Sequence, residues 1–184
     1  MKTLTLAATA VVAFGLSALS TPSRAADGLI NFNGQITAQT CDISGNGGGV
    51  DFTVTLPTVS QQTVSAAGQW AGRTPFNIAR SNCSPATGNV AVYFEPGSTV
   101  DLRTGQLLND TGDGQATNVE LQLLNQDTTA ITLGAADLAA TNSKSVALED
   151  GAATLNYYVQ YVAVNGASTD GLVASRINYT IAYE

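Results

Sequence analysis

The sequence predicts an all-β domain built as an antiparallel sandwich. Three observations carry that prediction. Apolar and polar residues alternate over several short stretches, the period of an extended strand with one buried and one wet face. Turn-forming Gly, Asn and Asp punctuate the chain at short intervals, with 18 glycines in 184 residues, as strand-to-strand connections require. Few stretches carry helical spacing, and neither an internal repeat nor a break in composition divides the chain into two domains.

Taken in order, the first residues form an address. Lys2 gives a positive start, residues 4–19 are apolar or small, and Ser23, Arg24 and Ala25 make a small-x-small cleavage site. Residues 1–25 are therefore expected to be a signal peptide. The apolar run is shorter than the roughly 20 residues a membrane-spanning helix needs. Residues 30–41 (INFNGQITAQTC) alternate strictly, with Ile30, Phe32, Gly34, Ile36 and Ala38 on one side. Asn33 and Gly34 also form a favoured hairpin dipeptide, but the alternation runs through them without changing phase. Residues 44–49 are glycine-rich and read as a turn.

Residues 50–56 (VDFTVTL) alternate again and stop at Pro57. Residues 58–74, including the lone Trp70, read mostly as loop. Phe76 and Ile78 lead into Cys83, and Val90, Val92 and Phe94 mark the next strand, closed by Pro96 and Gly97. Residues 109–118 read as a turn-rich loop, followed by a strand with Val119, Leu121 and Leu123 on one face. Residues 134–140 allow a single helical turn, and Asp150 with Gly151 is a strong turn signal. Residues 155–164 read as the longest strand. Ile177, Tyr179, Ile181 and Tyr183 then share one face at the end of the chain.

Composition removes several classes of function. Without residues 1–25 the chain has 159 residues, enough for one domain with a core. It then carries five basic against fourteen acidic residues, a net charge of −9, and such a surface repels nucleic acid. There is no histidine, so the commonest general base and metal ligand are missing, with every Ser-His or Cys-His pair. No motif with a catalytic mechanism is present, and neither a cofactor nor a metal is expected. In an exported chain the two cysteines, Cys41 and Cys83, are expected to form one disulfide rather than free thiols or a metal pair.

Two local patterns invite other readings. Residues 109–120 imitate a calcium loop, but position one is Asn109, position three is Thr111, and no helices flank them. Trp70 with Arg73 could form a sugar-stacking platform; an exposed loop residue or a subunit contact is the expectation.

Four features together give the chain a resemblance. Phe32, Asn33 and Gly34 precede Cys41, which lies seven residues after the glycine. Phe76, Asn77 and Ile78 approach Cys83. Ala116, Thr117, Asn118 and Val119 open the run Glu120, Leu121, Gln122, Leu123, Leu124. Tyr183 is penultimate, and Gly171 is the fourteenth residue from the end. In this order and spacing the chain resembles the structural subunits of chaperone–usher pili, particularly type 1 fimbrial shaft subunits.

The resemblance implies an incomplete immunoglobulin-like β-sandwich lacking its final strand, with an N-terminal donor-strand extension. Residues 26–36 would be that extension and residues 37–184 the pilin domain. Ile30, Phe32, Gly34 and Ile36 would carry the donor strand, with Gly34 permitting close approach at a shallow part of the groove. Gly171, Ile177, Tyr179, Ile181, Tyr183 and Glu184 would form the C-terminal strand that lines the groove and meets the chaperone. Expected partners are identical or related pilin subunits, a periplasmic chaperone, an outer-membrane usher and, through the assembled pilus, a host-cell surface. The place of action would be the fimbrium on a bacterial surface. A minor, adaptor or tip subunit with a glycan-binding role is the alternative, as is a self-contained secreted carbohydrate-binding sandwich.

Overall fold

The computed structural model describes residue 36 and residues 40–184. The expected signal peptide and the expected donor residues Ile30, Phe32 and Gly34 lie outside the described residues; Ile36 is described and fully exposed. The chain divides into two units, Met1–Thr37 and Ala38–Glu184, and the fold below belongs to the second.

Nine strands are present among the described residues: β1 (Thr40–Gly45), β2 (Trp70–Ser84), β3 (Asn89–Phe94), β4 (Val100–Asp101), β5 (Gln106–Leu108), β6 (Val119–Asn125), β7 (Val146–Ala147), β8 (Ala153–Ala163) and β9 (Tyr179–Tyr183). They form a six-stranded sheet in the order β1-β2-β8-β6-β5-β4 and a three-stranded sheet in the order β7-β3-β9. Every pairing between named strands is antiparallel. Antiparallel strands bury one face, so alternate residues point inward. On β2 these are Phe76 and Ile78, on β8 Leu155, Tyr157 and Val159, and on β3 Val90, Val92 and Phe94, all buried.

The rings of Phe76 and Phe94 flank Tyr157 at 5.5 and 5.4 Å between centroids, the second edge-on, a favoured aromatic geometry. Burial pushes the Tyr157 hydroxyl up to about 12. Ile131 and Leu133, from the segment after β6, are each 1 % exposed and complete the core. Cys41 on β1 is disulfide-bonded to Cys83 on β2, which ties the edge strand of the large sheet to its neighbour.

Two sequence expectations need correction. Residues 58–74 are not mostly loop: a 3-10 turn forms at Gln61–Val64 and β2 starts at Trp70. At 15 residues β2, not the 11-residue β8, is the longest strand. Gly72 and Pro75 hid this strand, since both normally interrupt strands. Gly72, at φ +66°, sits in a bulge between Ala71 and Thr74. Pro75 is tolerated because β1 pairs β2 only from Ile78 onward, so the proline lies on an uncovered edge. Elsewhere local chemistry acts as the sequence suggests. Asp150 and Gly151 both have positive φ, the combination a tight hairpin turn demands. The helix α1 (Leu138–Thr141) is a single turn, capped where Ala140 N donates to Asp137 Oδ1 at 2.8 Å.

Candidate functional site

The three-stranded sheet ends at β9, and beyond that edge lies a groove of about 740 Å³. Two extended segments form its walls. On one side runs the stretch leading into β9, residues 173–178. Val173, Ser175 and Ile177 are half-buried, while Ala174, Arg176 and Asn178 are exposed. The backbone carbonyls of Ala174 and Asn178 accept from Asp110 N and Glu95 N at 2.8 and 2.9 Å, and that of Arg176 from Thr99 Oγ1 at 2.6 Å. Backbone groups of successive residues in an extended chain point to opposite sides. The amides and carbonyls of Val173, Ser175 and Ile177 therefore face the groove. On β9 the groups of Tyr179, Ile181 and Tyr183 continue the same edge, because Asn89 exchanges both backbone bonds with Glu184 and sets the register.

The opposite wall is residues 50–56. Phe52, Val54 and Leu56 are half-buried and the intervening Asp51, Thr53 and Thr55 exposed, yet none of these residues belongs to a ladder. Among the described residues no backbone–backbone hydrogen bond involves residues 51–59. The segment is held by side chains instead. Phe52 packs 6.3 Å from the Phe76 ring and 6.4 Å from the Tyr179 ring. It occupies space that only a glycine leaves, since a Cβ on Gly45 would fall 1.9 Å from its ring. Tyr179 Oη donates to the Val50 carbonyl at 2.8 Å, spanning from wall to wall. Burial is the main cause raising the Tyr179 hydroxyl above its usual range, and the Asp51 carboxylate adds to it.

The floor is the core itself: Phe76, Ile78, Phe94, Leu121, Leu123 and Val159. The arrangement is thus an apolar trough whose two long sides offer unpaired backbone, which suits an extended peptide that pairs along its length.

The predicted site residues fall as follows. Ile177 and Tyr179 line the groove, and Ile181 and Tyr183 pack half-buried against the core further along β9. Gly171 stands at the head of the C-terminal segment with φ +145°, where a Cβ would approach Ala116 N to 2.5 Å. Ala116 N donates to Leu172 O and Leu172 N to Gly114 O, so close backbone contact here depends on glycine. Glu184 is exposed, with its backbone bonded to Asn89. Sequence reasoning missed Phe52, Val54 and Leu56 as a groove wall; their alternation was the available signal.

Arg80 was missed as well. It is 3 % exposed on β2, its Cζ lies 4.8 Å from the Tyr183 ring centroid, and its Nη2 donates to Tyr183 Oη. Nothing in its sequence neighbourhood marks it as inward-facing except the phase set by Phe76 and Ile78. The calcium-like loop is committed to the fold: Asn109 Nδ2 donates to Ala116 O and Leu172 O, and its Oδ1 accepts from Ala174 N.

The family model described as "FimA: Type-1 fimbrial protein, A" matches residues 56–184. The chain is 53% identical over 171 residues to the major fimbrial subunit SMF-1 of Stenotrophomonas maltophilia, covering 91% of this chain and 99% of that protein. It is 44% identical over 173 residues to the F17 fimbrial protein of Escherichia coli, covering 91% and 93%. Among solved structures, the P pilus rod subunit PapA aligns with a TM-score of 0.57 at 20% identity, over 78% of this chain and 99% of that one, a likeness of fold. With an open-edged sandwich and a family match spanning most of its length, the chain belongs to the type-1 fimbrial protein family, whose members are structural subunits of fimbriae.

Proposed function

We propose that the chain polymerises head to tail by donor-strand exchange, residues 26–36 of one subunit filling the groove of the next. In this reading residues 1–25 are removed on export, Ile30, Phe32 and Ile36 enter the trough, and Gly34 passes where it is shallow. The observation that carries the reading is the pair of unpaired walls facing each other across an apolar floor. Length supports it: the open edge from residue 173 to 183 and the extension from 26 to 36 are each eleven residues long. Each large apolar side chain buried contributes on the order of 1.5–3 kcal/mol, and the ladder bonds satisfy backbone groups costly to leave unmade.

A subunit with such an edge is an aggregation hazard on its own. A periplasmic chaperone therefore covers the groove first, with basic residues anchoring the Glu184 carboxylate, and an outer-membrane usher receives the complex. The assembled product lies on the cell surface as a fimbrium, and similarity to a protein named a major fimbrial subunit favours the shaft over a tip or adaptor role.

Deleting residues 26–36 from the exported chain tests this. Fibres scored by electron microscopy should disappear while the chaperone still co-purifies with the truncated subunit. Fibres built from the truncated chain would refute the reading.

A further inference from the structure

Trp70 and Arg73 form a second surface feature, on the outer face of the six-stranded sheet; neither lines the groove. The bulge between Ala71 and Thr74 brings the two side chains together although they are three residues apart. Arg73 Cζ lies 4.2 Å from the Trp70 ring, well within cation–π range. Arg73 Nε donates to Gln160 Oε1 at 2.8 Å, and Gln160 Nε2 donates in turn to Gln122 Oε1 at 2.8 Å. Gln160 is 3 % exposed and directly opposite Gln122 in the β6–β8 ladder. A row of side chains across β6, β8 and β2 thus fixes one edge of the guanidinium while the indole fixes its plane.

The remaining Nη1 and Nη2 fork has no acidic partner among the described residues, where the two ion pairs are Arg103 with Asp101 and Arg176 with Asp110. Arg73 is thus positioned by neutral partners, the Gln160 amide and the Trp70 ring. A guanidinium fork of this kind matches a planar carboxylate with two parallel bonds. Beside it Trp70 remains 51% exposed, offering aromatic surface to the apolar face of a sugar ring. We propose that Trp70 and Arg73 bind a carboxylated sugar, such as a uronic or sialic acid residue of an acidic glycan. One such contact is weak, and repetition along a fibre, which rests on the polymer reading above, would give it avidity.

The site belongs to a single subunit, so the test uses the purified exported chain, assembled or not. Saturation-transfer NMR compares methyl glucuronide with methyl glucoside, which differ in the carboxylate. The glucuronide should bind about tenfold more tightly, the scale of one charge-assisted pair. Arg73→Gln should abolish that preference, Arg73→Lys should weaken it, and Trp70→Ala should remove the response to both sugars while Trp70→Phe retains it. Equal responses to the two glycosides, or variants that bind as the parent does, would overturn the proposal. So would an Arg73→Gln chain whose saccharide response is unchanged but whose copies pack less tightly together, since the carboxylate would then come from another subunit.

Discussion

Residues 76–80 of β2 and residues 50–56 carry the same kind of pattern, alternating residues whose inner set is apolar apart from Arg80, and reach different ends. β2 is paired with β8 along most of its length and with β1 from Ile78 onward. Residues 50–56 lie extended with no ladder on either side among the described residues. Alternation specifies that a segment is extended and which face turns inward; it does not specify a partner. On the closed side the partner is in the same chain. On the open side the backbone of residues 50–56 and 173–183 faces a trough, and no strand among the described residues pairs across it.

That difference can be broken at its closed end first. Replacing Cys41 and Cys83 by Ser releases a loop 42 residues long in sequence and should cost about 4 kcal/mol in the chain-entropy model. Chemical denaturation of the paired Ser variant against the parent measures it, and a cost below 1 kcal/mol would mean β1 holds to β2 without the bridge. Next comes a pair of substitutions. Leu155→Ala, on a closed strand at 1 % exposure, should cost about 3 kcal/mol. Val54→Asp, on the half-buried open wall, should cost the domain less than Leu155→Ala does and yet abolish any response to a donor peptide. Similar losses of intrinsic stability at both sites would erase the contrast.

Much of this was legible in the sequence. The all-β class followed from alternation and turn residues, and the C-terminal strand from Tyr179, Ile181 and Tyr183, whereas Ile177, read into the same strand, precedes it. The start of β2 was not, because Gly72 and Pro75 are strand breakers whose tolerance depends on a bulge and on an uncovered edge, both tertiary facts. The groove's second wall was half legible: Phe52, Val54 and Leu56 advertised a strand, but only the packing of Phe52 over Gly45 places it opposite Tyr179. Gln160 was illegible, since a buried amide in a row of Arg73, Gln160 and Gln122 depends on cross-strand register.

The smallest expected effect sharpens the closed side electrostatically. Glu120 on β6 is 3 % exposed. Burial is the main cause raising its carboxyl above the ordinary 4.5, against a hydrogen bond from Thr104 that lowers it. A raised folded-state value means the folded chain binds the proton more tightly. The cost is therefore absent below about pH 4.5 and grows as pH rises through the folded value. Glu120→Gln keeps the Thr104 bond and should stabilise the domain by less than about 1 kcal/mol at pH 7, with the gain vanishing near pH 4. Thermal melts across that range check it; a gain that persists at pH 4 would exclude ionisation as its source.

The most direct measurement is the melting temperature of purified residues 37–184 with and without a synthetic peptide copying residues 26–36. At a hundredfold excess over its dissociation constant, a peptide that binds only the folded domain should add about 2.7 kcal/mol, seen as a rise of several degrees. A Phe32→Asp peptide should add none. If the domain melts at the same temperature with and without the parent peptide, the groove is not the receptor for the extension and the account fails.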